Sequence, residues 1–463
     1  MPDVPKLLLP ILAVVLLLLA SPASASPDQV MTFEAPRELL DDASRDRTLD
    51  EIQAFGVKRV RVLVYWSSVA PQPSSRTRPS FDAAVAGAYP ASGWARYDNL
   101  LQSALSRGLE VYLTITGPAP RWATKARRDG ITNPRPDEFE AFARAVGTRY
   151  GGQVNLWSIW NEPNQPQFLR PQYRGGQATS PGLYRKLYQA AHRGLEQSGN
   201  ANDTILLGET SPRGNQRVVA PLDFLRGTLC LSESYRKRRS CEELDTDGYA
   251  HHPYTTSSGP TFRPPNPDDV TIGVLSRLTQ ALDRAGKARA VRRGLGIYLT
   301  EFGIQSFPDP SAVSLTQQAE YLPISEHLAF LNRRVRTFSQ YLMSDDDPSA
   351  GGERYGAFES GLRRFDGRLK PAYAGFRTPL AVTDYGRSDV GWGLVRPAQG
   401  KTSVDIEYRN QGARTYRKLQ TVTTNARGVF AFKSGSSSGR RYRVRWTAPG
   451  GEVFVGPPIR SYE

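Results

Sequence analysis

The feature that most restricts the fold of this chain is a repeated alternation of short β-branched runs with longer amphipathic stretches, from near residue 30 onward. The apolar runs end at Ala35, Trp66, Thr116, Asn161, Glu209, His252, Glu301 and Tyr341, which makes eight. Between two of them Phe139, Phe142, Ala143, Val146 and Tyr150 recur at offsets of three and four, the spacing of one helical face. Asp268 and Asp269 stand where an N-cap is expected, ahead of Val274, Leu275, Leu278 and Leu282. Strands buried on both faces and alternating with helices imply a parallel sheet, and eight such units imply a closed (β/α)8 TIM barrel in the α/β class. An open doubly wound sheet is the structural rival. The eightfold count, and the absence of a glycine-rich phosphate loop after the first strand, argue against it.

After about residue 382 helical periodicity stops. Alternating strands are expected at Thr402 to Tyr408, Leu419 to Thr423, Val429 to Phe432 and Arg441 to Trp446, separated by Gly and Ser turns. The domain plan is therefore a leader at 1–25, a catalytic barrel at 26–385 and a small β-sandwich accessory domain at 386–463. Gly435-Ser436-Ser437-Ser438-Gly439 matches the Gly-x-Ser-x-Gly hydrolase pattern in letters only. It falls between two β-runs instead of on a strand-to-helix elbow.

Lys6 is followed by the apolar run Leu7 to Ala20 and then by Ala23-Ser24-Ala25, the pattern of a signal peptide cleaved after Ala25. The run is short for a membrane span, so a soluble exported protein, secreted or held in the cell envelope, is expected. Cys230 and Cys241 are the only cysteines. In an exported chain they are expected to form a disulfide, worth ~2–3 kcal/mol for so short a loop. The 60 Lys and Arg against 45 Asp and Glu leave a net charge of +15. That surplus reads first as a solvated basic surface, and second as one suited to an acidic or cell-envelope glycan or to nucleic acid. It lacks the concentrated basic block with interleaved aromatics that would point to nucleic acid, apart from Arg236 to Arg239.

In an eight-stranded barrel, catalytic groups project from the C-terminal ends of the strands. Glu162 directly follows the fourth run and Glu301 ends the seventh, so both face one mouth. Glycosidic bond cleavage needs such a pair: one carboxyl protonates the departing oxygen while the other attacks the anomeric carbon or activates water. No metal or organic cofactor is implied. His251 and His252 lack the accompanying ligand spacing of a metal site.

Several matched segments resemble glycoside hydrolase clan A, especially families 5 and 39. Trp160-Asn161-Glu162-Pro163-Asn164 is similar to the fourth-strand motif, and Leu299-Thr300-Glu301-Phe302-Gly303 to the seventh-strand motif. The resemblance implies Glu162 as general acid/base, Glu301 as nucleophile and Asn161 as a ligand of the sugar 2-hydroxyl. Gly56 to Arg61 resembles the second-strand signature whose arginine contacts the nucleophile, and His252-Pro253-Tyr254 the sixth-strand pair whose tyrosine supports it. Gly361-Leu362, Asp366-Gly367 and Lys370-Pro371-Ala372 resemble the tail of the last barrel unit. The resemblance spans most of residues 30–378 and implies a retaining mechanism. Two positions depart from family 5: the third strand ends Thr116-Gly117-Pro118 without a histidine, and Tyr341 stands where a tryptophan platform is common.

Trp66 and Tyr341 are further candidates for substrate contact, with Trp122 and Trp160 as other aromatics able to stack on sugar rings. Glu34 and Glu209 end strands and are read as local hydrogen-bonding groups. Two non-enzymatic readings stand beside hydrolysis: a glycan-binding protein on a barrel that cleaves nothing, and a cell-envelope interaction protein in which the β-domain dominates. Transglycosylation would use the same two carboxyls. The sugar, its linkage and endo or exo action stay open, and the β-domain is read as a brace or spacer.

Overall fold

The computed structural model describes residues 29–238, 240–349 and 357–463. The leader at 1–25 lies outside the described residues. Eight parallel strands close a barrel: β1 (Val30–Glu34), β2 (Arg59–Tyr65), β3 (Glu110–Thr116), β4 (Leu156–Ile159), β5 (Thr204–Thr210), β6 (Gly248–His251), β7 (Gly296–Leu299) and β8 (Val335–Tyr341). Each strand pairs with its neighbours in sequence, and β8 closes the ring on β1 with Glu34 opposite Tyr341. All eight match the apolar runs of the sequence.

Two cores follow from strand alternation, since successive side chains point to opposite faces. Outward residues such as Val60, Val62, Val64, Leu113, Ile115, Ile205 and Leu207 pack against the helices. Tyr112, Leu156, Leu206 and Ala250 form a separate apolar layer with Tyr298, filling the barrel interior. The helix Pro136–Tyr150 buries Phe139, Phe142, Ala143, Val146 and Tyr150, the face its spacing predicts. Asp268 and Asp269 do not cap a helix. The helix Leu275–Lys287 begins beyond a 3-10 turn at Ile272–Val274. Asp268 instead receives both Arg226 terminal nitrogens, at 2.7 and 2.6 Å, and Asp269 accepts the Gly214 N–H.

The C-terminal region consists of two antiparallel sheets. One has three strands, Leu380–Asp384, Ser388–Leu394 and Val429–Gly435. The other has five, including Ser403–Arg409, Arg417–Thr423 and Arg441–Thr447. Val382, Val404, Ile406, Phe430, Phe432, Tyr442 and Val444 join both sheets in one core. The first strand, Leu380–Asp384, precedes the boundary expected at 386, and Ser388–Leu394 carries glycines at 391 and 393 that mask its alternation. A Cβ at either glycine would lie within 2.2 Å of the Phe432 or Phe430 ring. Gly435 ends a strand and the serines after it form a turn, so no nucleophile elbow exists there.

These sheets dock on the helix Leu315–Leu331, which runs between β7 and β8. Trp392 stacks on His327 at 5.0 Å between ring centres, and Ile324 and Ala381 complete a small shared core. Arg396 makes a bidentate, buried ion pair with Glu326 at 3.0 and 2.7 Å, and its Nε donates to the Phe376 carbonyl. Removing one member of such a pair strands the other charge, which costs more than replacing both. Glu326→Ala is therefore expected to destabilise the protein by about 3–5 kcal/mol in denaturant unfolding, with Glu326→Leu/Arg396→Met together losing much less. Equal losses in both variants would show that the pair contributes only through packing.

Candidate active site

The C-terminal ends of six barrel strands bring four carboxyls, two bases and a phenol into one cluster. The centre is Arg61, from the middle of β2 and 1% exposed. Its Nη1 donates to Glu34 at 2.6 Å and to Glu301 at 3.0 Å, and its Nη2 to Glu209 at 3.1 Å and Asn161 Oδ1 at 3.2 Å. Its Nε donates to Thr114 Oγ1 at 3.1 Å, and the guanidinium lies over the Tyr112 ring. Every nitrogen of a buried guanidinium is thereby satisfied, as its desolvation requires.

Glu209 anchors this arrangement from β5. It is fully buried and accepts from Ser158 at 2.5 Å, from Thr300 at 2.7 Å, from Arg61, from the Tyr112 hydroxyl, and from His252 Nε2 at 2.6 Å. Burial alone would raise this carboxyl, but Arg61, His252 and the hydroxyl donors reverse that and hold it well below the usual carboxylate range. Its backbone adopts a φ of 52°, as do Trp160 at 70° and Glu162 at 39°. Left-handed backbone at non-glycine residues is costly and persists where the surroundings over-determine it. Here it turns two carboxyls into the mouth.

His252 lies between the two glutamates of the expected pair. Its Nδ1 is 3.0 Å from Glu162 Oε1 and 3.7 Å from Glu301 Oε2. Tyr254 donates to Glu301 Oε1 at 2.8 Å, and Gln165 donates to Glu162 Oε2 at 2.9 Å. Burial pulls His252 down, yet Glu301, Glu162 and Glu209 outweigh it and raise the imidazolium to about 10. The adjacent His251 points out of the barrel, between Thr210 Oγ1 and the Val270 carbonyl, and burial lowers it to about 4. Strand alternation thus puts two neighbouring histidines into opposite charge states.

Burial also raises Glu162, with the charge of Glu301 adding to it and His252 opposing. Glu34 is pushed up to about 8 by burial and by Glu301, against the pull of Arg61. When Glu34 and Glu162 carry protons, Arg61 and His252 face two carboxylates, Glu209 and Glu301, and the cluster is close to neutral. A proton on Glu162 is what a general acid needs.

Of the sequence candidates, Glu162, Glu301, Arg61, Asn161, His252 and Tyr254 all lie in the cluster. Tyr341 ends β8 half-buried beside Phe358, and burial with the charges of Glu301 and Glu34 raises its phenol. Trp66 does not reach the mouth. It is fully buried at the start of a short helix and stacks on Phe142 at 5.5 Å, with Phe139 and Trp122 around it. Trp122 and Trp160 are core residues as well, each donating its indole N–H to a backbone carbonyl. The Trp160 ring occupies the space beyond Gly117, where a Cβ would come within 2.5 Å of it. Position 117 therefore has no room for a side chain, because an indole fills it.

Sequence reasoning missed Tyr65, half-buried at the end of β2. Its phenol is raised by burial and by Glu34 and Glu301, so it faces the same site. A cleft lined by Tyr254, Thr256, Gly303, Gln305, Asp309 and Val313 opens beside the cluster. Cys230 and Cys241 are joined in a disulfide in the loop before β6, and no free cysteine exists among the described residues. The one metal-compatible group among the described residues, His192, Glu196 and Asp245, lies near the outer helix Ser180–Gln197, where Glu196 and Asp245 are exposed. No described helix is long and apolar enough to cross a membrane.

A closed (β/α)8 barrel with glutamates after β4 and β7, joined through a buried arginine, histidine and tyrosine, defines a glycoside hydrolase of clan A. A model of the cellulase family, glycosyl hydrolase family 5, matches residues 26–337, and the chain belongs to that family. Among solved structures the fold is similar to a family 39 glycoside hydrolase from the gut symbiont Bacteroides cellulosilyticus WH2. The TM-score is 0.50 at 15% identity, over 90% of this chain and 81% of that one. A monomeric beta-xylosidase from Caulobacter crescentus CB15 gives a TM-score of 0.50 at 13% identity, over 94% and 97% of the two chains. In sequence, Beta-glucosidase 47 of Arabidopsis thaliana is 26% identical over 129 residues, 28% of this chain and 22% of that protein. The chain thus spans about a fifth of the length of this curated relative.

The raised groups set the alkaline behaviour. An unfolded His252 titrates near 6.5 and the folded one near 10, so its stabilising charge is fully present below about pH 6.5 and lost as pH rises through 10. Glu34 holds a proton in the folded state up to about pH 8 but releases it near 4.5 when unfolded, which also favours the folded state less as pH rises. Thermal stability is therefore expected to fall from about pH 4.5 to 10, with Glu34 acting between 4.5 and 8 and His252 between 6.5 and 10, and Glu34→Gln, which mimics the protonated acid, should make the decline shallower below about pH 8. A decline of unchanged steepness in that variant would refute the assignment of Glu34.

Proposed function

We propose that the protein is an exported, retaining glycosidase that cleaves a β-linked glycan by double displacement. The observation that carries this reading is the shared contact of His252 Nδ1 with both glutamates, at 3.0 and 3.7 Å. Those two lengths together are an upper limit on the separation of the nearest carboxyl oxygens, reached only if the nitrogen lay in line between them. Retaining pairs stand about 5–5.5 Å apart and inverting pairs about 6.5–9.5 Å, so the contact favours retention.

In the first step a Glu301 oxygen forms a bond to the anomeric carbon as the glycosidic C–O bond breaks, and the Glu162 proton passes to the leaving oxygen. In the second, Glu162 takes a proton from water, whose oxygen replaces Glu301 at the same carbon. Arg61 and Tyr254 hold one oxygen each of Glu301 and keep it aimed. Asn161 spends its carbonyl oxygen on Arg61, which leaves its amide N–H groups for the sugar 2-hydroxyl. Tyr65 and Tyr341 supply the aromatic flanks in place of a tryptophan.

The β-linked substrate is suggested by the cellulase family and by relatives named as a beta-glucosidase and a beta-xylosidase. Export is supported by Lys6, the run Leu7 to Ala20 and Ala23-Ser24-Ala25, together with a disulfide of the kind that oxidising compartments maintain. The two C-terminal sheets, sharing one core and docked on a barrel helix, read as a β-sandwich brace.

Glu301→Ala is expected to abolish hydrolysis of aryl β-glycosides, with azide restoring turnover and giving a glycosyl azide of inverted configuration. Glu162→Ala should slow substrates with poor leaving groups by about 10²–10⁴-fold, and azide should then give the retained configuration. Full activity in Glu301→Ala, or an inverted sugar as the first product of the unmodified enzyme, contradicts the mechanism.

A further inference from the structure

The excess positive charge is not spread evenly along the chain. Residues 386–463 contain 14 Lys and Arg against 5 Asp and Glu, which accounts for more than half of the net +15. On the five-stranded sheet the inward positions are apolar, with Ile406, Tyr442, Val444 and Ile459 buried, so their sequence neighbours face outward. Among those outward positions Arg409 lies directly opposite Arg441, and Arg441 directly opposite Arg460. Three arginines therefore form a row across three adjacent strands. Like charges placed directly opposite each other in a sheet are destabilising.

The row is poorly neutralised from within. Glu320 serves two arginines of the row, approaching Arg441 at 3.4 Å and accepting the Arg460 backbone N–H, while neither Arg409 nor Arg460 makes a side-chain ion pair with an acidic residue among the described residues. Arg440, beside the row, donates only to uncharged oxygens, Asn410 Oδ1 at 2.9 Å and the Gly435 carbonyl at 2.7 Å. Arg409, Asn410, Gly439, Arg440, Arg441 and Arg460 line one groove. Arg409, Arg441 and Arg460 thus line a concave surface that is short of negative charge, while the Arg440 guanidinium lies over the Tyr408 and Tyr442 rings.

We propose that this groove binds an anionic glycan, a sugar chain bearing carboxylate groups. Neighbouring strands stand about 4.8 Å apart, a step comparable with one sugar unit along a glycan, so successive acidic sugars can each meet one arginine of the row. Planar guanidinium forks match carboxylates in a bidentate manner. Single-stranded nucleic acid would also need open aromatic faces for base stacking. The nearby Tyr416 ring is instead covered by Arg443 at 3.8 Å and Arg409 at 5.1 Å. The C-terminal region then both braces the barrel and holds an acidic chain close to a glycosidase.

The test is binding, and it is separate from hydrolysis. The full chain is expected to be retained on immobilised polygalacturonate at low ionic strength, to be released as salt rises, and to ignore uncharged dextran. Arg409→Gln/Arg460→Gln should weaken retention by about tenfold while leaving aryl glycoside hydrolysis unchanged. Glu301→Ala should bind like the unmodified chain, so a failed catalytic assignment leaves this result intact. Equal affinity of the double variant and the unmodified chain, equal retention on dextran, or tighter binding of duplex DNA than of polygalacturonate at the same ionic strength each overturns the proposal.

Discussion

The buried guanidinium of Arg61 is the constraint on which the rest of the site depends. A fully desolvated charge is tolerated only when its nitrogens are paired, and Arg61 is paired with side chains that begin on β1, β3, β4, β5 and β7. No single hairpin or βα unit can supply five such partners. A closed barrel can, because each strand end points to the same axis. The same requirement explains Glu209, which no substrate needs to touch. It is the permanent counter-charge that lets Arg61 and His252 remain cations in the interior while Glu301 stays available at the mouth.

Separate environments then divide four chemically similar carboxyls into different states. Glu209, ringed by donors, is held ionised, whereas Glu34 and Glu162, with burial outweighing fewer donors, are pushed toward the protonated form. His252 couples them, because it touches Glu162 and Glu209 and lies near Glu301. In the proposed mechanism, a proton lost from Glu162 in the first step leaves a second carboxylate beside that imidazolium, which stabilises the conjugate base until water is activated. The electrostatics that hold the barrel end together are thus the same ones that the proposed mechanism uses for Glu162 as acid and then as base.

The barrel was legible because its strands are short β-branched runs separated by helical periodicity, a pattern set by local chain geometry. Glu162 and Glu301 were legible because each sits in a run of specific residues at a strand end. What stayed hidden was non-local. Trp66 ends a strand run like a mouth residue, but the chain turns into a helix there and the indole packs outward on Phe142. Tyr65, one residue earlier, takes the site-facing position, and that one-residue difference is a side-chain alternation that no motif records. The positive charge of His252 depends on three glutamates far from it in sequence. The strands at Leu380–Asp384 and Ser388–Leu394 were missed for a related reason: glycines 391 and 393 remove side chains to admit phenylalanines from a strand about forty residues later.

The helix Leu315–Leu331 links these two levels. It lacks a single apolar stripe because it has two buried faces: Ala319, Leu322 and Ala329 pack on the barrel, Ile324 packs on the C-terminal sheets, and Tyr321 and Leu328 touch both. A helix between β7 and β8 has Glu301 before its start and Tyr341 beyond its end. Its start is fixed by the Ser314–Gln317 capping box and its flank by the Arg396–Glu326 pair. At its two ends the gap between β7 and β8 is tight, since a Cβ on Gly303 would come within 2.5 Å of the Tyr341 carbonyl. The C-terminal sheets cover the outer face of the helix that follows the Glu301 strand, while Glu301 itself is held by Tyr254 and Arg61 at 2.8 and 3.0 Å.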